Sequence, residues 1–119
     1  MQFKRSDRVS EEIRKIISSV VEEDLRDHSP GLVTFTHVKI TKDLRIATVY
    51  YSHLGTDEQR EWTIEYFERE RRRLRKLLGD KMRIRRIPEL NFKFDPSIEE
   101  GIRIEKLLND IKREKEDRS

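Results

Sequence analysis

The strongest chemical signal in the chain lies between Arg69 and Arg86. Eight arginines (Arg69, Arg71, Arg72, Arg73, Arg75, Arg83, Arg85 and Arg86) and two lysines (Lys76 and Lys81) stand there against two acids, Glu70 and Asp80. That segment is +8 in a chain whose formal net charge is only +3, so the remainder is net acidic. On a helix Arg69, Arg72, Arg73 and Lys76 fall on neighbouring ridges, away from a stripe formed by Leu74, Leu77 and Leu78. A continuous basic face suits a phosphate backbone, and arginine suits it best, because a guanidinium fork binds phosphate oxygens two at a time. The competing interpretation is a solvated helix laced with ion pairs.

Other chemistries have weaker carriers. Cysteine is absent, which excludes disulfides, thiolate metal sites and a cysteine nucleophile. His28, His37 and His53 lack the helical spacing or the partners of a metal site, so no metal is expected. Glu99 with Glu100, or Glu89 with Asp95, are carboxylate pairs without a neighbouring nucleophile or oxyanion donor, so capping and surface roles explain them and no catalysis is expected. The four glycines, Gly31, Gly55, Gly79 and Gly101, are too far apart for a phosphate loop or a dinucleotide fingerprint. Neither a cofactor nor a small-molecule substrate is expected. No apolar stretch approaches the ~20 residues needed to span a bilayer, and no apolar core follows the N-terminus. A cytoplasmic protein with no membrane partner is therefore expected, and nothing in the sequence demands more than a monomer.

The elements that must position these residues follow from periodicity. Charged residues make up 43% of the chain, which would suggest disorder were the apolar ones not grouped in periodic runs. Val9, Ile13, Ile16, Ile17, Val20 and Val21 recur at helical spacing from Ser6 to about Leu25, and the turn formers Ser29, Pro30 and Gly31 follow. Leu32–Thr41 and Leu44–His53 are rich in β-branched and aromatic residues and predict a hairpin turning at Lys42 and Asp43. Val33 and Phe35 share one parity while Val38 and Ile40 share the other, which predicts a bulge near Thr36. Thr56 or Asp57 caps a second helix carrying Trp62, Tyr66 and Phe67, expected to bend or break near residues 68–72 before Leu74, Leu77, Leu78 and Met82. Leu90, Phe92 and Phe94 alternate with polar residues as a strand with one buried face, so the two phenylalanines are core before they are stacking platforms. From about Ser97 a last helix carries Ile104, Leu107, Leu108 and Ile111 and dissolves into a charged tail, Lys112–Ser119. Three strands covered by helices on one face make an α+β domain.

These residues resemble the ribosome-binding factor A family, collinearly from Arg8 to about Leu108. The resemblance is carried by Arg8-Val9, the hairpin from Val33-Thr34 to Val38, Asp43-Leu44 with Ala47, Val49 and Tyr50, and Leu54-Gly55. It continues through Leu74-Arg75, Leu77-Leu78-Gly79, the run Met82 to Leu90, Phe92, Phe94-Asp95-Pro96-Ser97, and Glu100-Gly101. It implies a type II KH-like domain (helix, two strands, two helices, strand) without the GxxG loop, over residues 1–96, followed by a C-terminal helix and tail over 97–119. It also implies a non-enzymatic assembly factor that binds the free 30S subunit or its precursor through 16S ribosomal RNA and assists late rRNA maturation. Where the family has an Ala-x-Gly kink, this chain has Glu70-Arg71-Arg72. The expected RNA contacts are Arg69, Arg72, Arg73, Arg75, Lys76, Lys81, Arg83, Arg85 and Arg86, with Arg8, Lys42 and Arg45 at the rim. A general KH-like nucleic-acid module and a protein-interaction adaptor that meets an acidic partner are the alternatives.

Overall fold

The computed structural model describes residues 5–117 in the order α1 (Arg5–Leu25), β1 (Leu32–Ile40), β2 (Ile46–Leu54), α2 (Asp57–Lys81), β3 (Glu89–Phe94) and α3 (Ser97–Asp117). The three strands form one sheet with β2 central, antiparallel to β1 and parallel to β3. In α1 the helical stripe Val9, Ile13, Ile17, Val20, Val21 and Leu25 is buried, while Ile16 is only partly so. After it the chain reverses at Gly31, whose φ of +84° favours glycine and whose missing Cβ would stand 2.5 Å from the Leu54 carbonyl oxygen.

The bulge sits at the expected place. The β1–β2 register shifts between Phe35 and His37, leaving Thr36 unpaired, so Phe35 points into the core and Val38 and Ile40 pack against it. The turn is wider than the two residues expected, running from Thr41 to Arg45. Its geometry consumes the local donors. The Thr41 hydroxyl donates to Asp43 (2.6 Å), while the Arg45 amide donates to the Asp43 carboxylate (3.1 Å) and the Ile46 amide to Thr41 Oγ1 (3.2 Å). Leu44 takes a φ of 58° to close it.

The second helix corrects an expectation. A capping box of Thr56 and Gln59 starts α2, and the helix then runs unbroken to Lys81, through the segment 68–72 where a break was expected. Two reasons are visible. Thr63, Tyr66, Phe67, Leu74 and Leu78 are buried at helical intervals on both sides of that segment, so one straight stripe serves the core. Glu70, Arg71 and Arg72 are also good helix formers, and Glu70 pairs with Arg73 one turn on. The two helices expected after the hairpin are thus one.

The core centres on Phe67, which stacks on Phe92 (4.5 Å, 9°) and meets Tyr51 (4.6 Å) and the edge of Phe35 (5.9 Å). Leu90 is buried, while Phe92 and Phe94 pack partly buried against the core, as strand parity predicts. The last helix also departs from expectation by continuing beyond Lys112 to Asp117, because the residues there are strong helix formers. The tail residues 118–119 lie outside the described residues, as does the side chain of Glu99. From Glu100 to Glu116 every side chain of α3 is exposed, including Ile104, Leu107, Leu108 and Ile111.

Candidate nucleic-acid interface

Because α2 is continuous, its arginines project from one rigid rod, and their partners divide them by role. Arg71, Arg72 and Lys76 are exposed. Arg69 is exposed and lies 3.6 Å from Glu70. Arg73 is differently employed. It donates to Glu70 (2.7 Å) and to Asp24 of α1, and Asp24 also accepts the Tyr66 hydroxyl at 2.5 Å. The hydrogen bond from Arg73 holds the Glu70 carboxyl below its ordinary range, while burial and then the Asp24 bond push the Tyr66 phenol well up. Arg73 therefore fastens α2 to α1 before it can meet a ligand.

Arg75 is likewise a fastener. Its guanidinium donates to the carbonyls of Pro88 (3.1 Å) and Ile87 (2.8 Å), clamping the connection between α2 and β3 back onto the helix. Gly79 permits that close return, since a Cβ there would lie 3.1 Å from Ile87 Cγ1. The clamp fixes where Arg83, Arg85 and Arg86 emerge, all three exposed.

Two concavities result. The first is a hollow of about 580 Å³ in which Arg85 and Arg86 meet Arg45 from the hairpin turn and Arg5 from the start of α1. Asp43 lies in the same hollow, 3.8 Å from Arg45 Nε, and bonds from the Thr41 hydroxyl and the Arg45 amide hold its carboxyl below the usual range. The second is a groove between α2 and the edge strand β3. Arg71, Arg72 and Arg75 line one stretch of it with Asn91 and one acid, Glu89, and Arg71 and Asn91 continue into a second stretch floored by Phe67 and Phe92 and flanked by Lys93 and Glu68. Such a groove offers cations on one wall, an unpaired strand edge on the other and apolar floor between, which fits a backbone bearing phosphates and bases.

The remaining expected contacts are scattered. Arg8 lies along the outer face of α1 among Asp7, Glu11, Glu12 and Lys15, a surface of mixed sign. Lys42 and Lys81 are exposed, Lys42 in the hairpin turn outside the lining of the hollow and Lys81 at the end of α2. Arg5 and Arg71 were missed by the sequence reading. Arg71 lies in the segment where a bend was expected, and the helical angle that aims it into the groove follows only once the helix is continuous. Among the described residues no group of three His, Asp or Glu side chains is placed to hold a metal ion, and no helix is long and apolar enough to cross a membrane.

Comparison with known proteins accords with this architecture. A profile of the ribosome-binding factor A family matches residues 5–108. The ribosome-binding factor A of Geobacter sulfurreducens is 41% identical over 113 residues, which is 95% of this chain and 96% of that relative. Its counterpart in Geotalea daltonii is 38% identical over 109 residues, 92% of this chain and 89% of the relative. The crystal structure of ribosome-binding factor A from Thermus thermophilus matches in fold with a TM-score of 0.64 at 23% identity, over 76% of this chain and 96% of that one. Coordinates of the Thermus thermophilus factor as fitted into a cryo-EM map of its 30S complex match with a TM-score of 0.61 at 25% identity, over 73% of this chain and 91% of that one. The profile spans most of the sequence and the relatives match along nearly their whole length, so this chain belongs to the ribosome-binding factor A family.

Proposed function

We propose that this chain is a non-catalytic assembly factor that binds the free 30S subunit or its precursor through 16S ribosomal RNA and assists late maturation of that RNA in the cytoplasm. It does so without cofactor or small-molecule substrate, as a monomer on the particle. The observation that carries this reading is the convergence of exposed arginines from four separate parts of the chain. Arg71 and Arg72 wall the α2–β3 groove, while Arg5, Arg45, Arg85 and Arg86 ring the hollow beside it. A relative of similar fold is known from a map of a 30S complex. Recognition is of backbone shape, with bidentate guanidinium contacts to phosphates and no GxxG clamp. Residues 1–96 form the RNA-binding domain and residues 97–119 a separable helix and tail.

Co-sedimentation with purified small subunits across a salt series tests this. Because Arg73 and Arg75 carry structural bonds, the informative variant is Arg71→Glu with Arg72→Glu. Each lost phosphate contact should reduce the slope of log affinity against log salt by about one. Binding by the folded double variant that equals the unaltered protein's, slope included, would refute the interface.

A further inference from the structure

We propose that the outer face of the sheet, away from α1 and α2, is a second RNA contact where an unpaired base stacks on the His37–Tyr50 pair, with Lys39 and Lys93 at its phosphates. This rests on the RNA-binding reading above and adds to it a surface that adjoins the α2–β3 groove at Asn91 and Lys93 and extends from there across the sheet to β1.

Alternation along the strands separates two faces. Phe35, Ala47, Val49, Tyr51 and Leu90 are buried on the inner one. The register then places His37, Tyr50 and Lys93 side by side in one outer row, with Lys39, Thr48 and Asn91 in the next. The bulge at Thr36 creates this arrangement. Without the extra residue, Thr36 and Val38 would face outward, whereas with it His37 and Lys39 do.

The two rings lie flat on each other, with centroids 4.3 Å apart and planes 10° from parallel. Lys39 Nζ stands 5.7 Å from the centre of the Tyr50 ring. The His37 ring is held at one edge, where Nδ1 lies 3.1 Å from the Thr36 hydroxyl oxygen and 4.0 Å from the Asp95 carboxylate. Asp95 is itself engaged by the Ser97 amide at 3.0 Å, which leads the causes holding its carboxyl below the usual range. Its charge is thus partly committed within the protein. Despite this anchoring the His37 side chain is 45% exposed.

The chemistry of the patch selects its occupant. A preoriented aromatic pair accepts any base through its π-face, two ammonium groups can reach the flanking phosphates, and Thr48 and Asn91 offer polar groups to a base edge. A protein side chain would require apolar surface. The exposed apolar residues of the sheet, Leu32 and Ile46, stand at opposite ends of it, paired with Leu54 and Glu89 rather than beside the rings.

The test uses the full chain and a single-stranded oligoribonucleotide containing 2-aminopurine, whose fluorescence is quenched by stacking. The unaltered protein should quench it on binding. His37→Ala should abolish most of the quenching and weaken binding about fivefold or more, whereas His37→Phe should restore both. Arg71→Glu with Arg72→Glu should weaken binding while leaving the quenching at saturation intact. Circular dichroism establishes that each variant is folded. Should His37→Ala, folded, quench and bind as the unaltered protein does, the stacking site is overturned while the α2 interface stands. If the unaltered protein does not bind the oligoribonucleotide, the stacking site is overturned, and the underlying reading falls with it only where the protein also fails to co-sediment with small subunits.

Discussion

Asp24 shows how much of an arginine's role is decided by a residue far away in sequence. It accepts the Tyr66 hydroxyl and the Arg73 guanidinium together, joining α1 to α2. Asp24→Ala would leave a largely buried phenol without its acceptor and cost about 1–3 kcal/mol, read as a lower denaturation midpoint at unchanged slope. A loss below a few tenths would mean that water replaces the carboxylate at no cost. The basic segment itself was legible from charge alone, but the sorting of its members was not. Nothing linear marks Asp24 as the partner of Arg73, or the carbonyls of Ile87 and Pro88 as acceptors for Arg75. Nor does spacing reveal that Arg5 and Arg86 share a hollow, since that depends on where two loops meet.

At the scale of elements, those with a clean period were readable before any coordinate. The α1 stripe, the Thr36 bulge demanded by a parity change, the Thr56 cap and the inward phenylalanines of β3 all follow from local rules. Besides the extension of α3 past Lys112, two features escaped. The hairpin turn is built by the side chains of Thr41 and Asp43, whose bonds to backbone amides extend it beyond two residues. The continuity of α2 escaped because residues 68–73 are all charged and carry no apolar period to read, and the family kink suggested a break. Arg72→Gly restores the glycine of that family motif and tests the point. In the exposed interior of a continuous helix it should cost about 1 kcal/mol, whereas at a natural break it would be neutral or stabilising. Chemical denaturation of the single variant distinguishes these outcomes.

Among the described residues, the buried core is assembled from residues between Val9 and Leu90, and the α3 side chains from Glu100 to Glu116 add none to it. A chain ending at Pro96 should therefore fold on its own, with a stability within about 0.5 kcal/mol of the full protein. A large drop in its denaturation midpoint would show that α3 supports the sheet it touches. The molecule also segregates charge along the chain: residues 69–86, the C-terminal half of α2 and the loop after it, are strongly basic, and the remainder is net acidic. A molecule so charged should carry an electric dipole with that segment at its positive end. Near a polyanion many ångströms away it experiences a torque as well as an attraction, and it turns its α2 side forward before any atom touches. Fewer encounters then arrive misaligned, so added salt should act chiefly on the rate of arrival and little on the time spent bound.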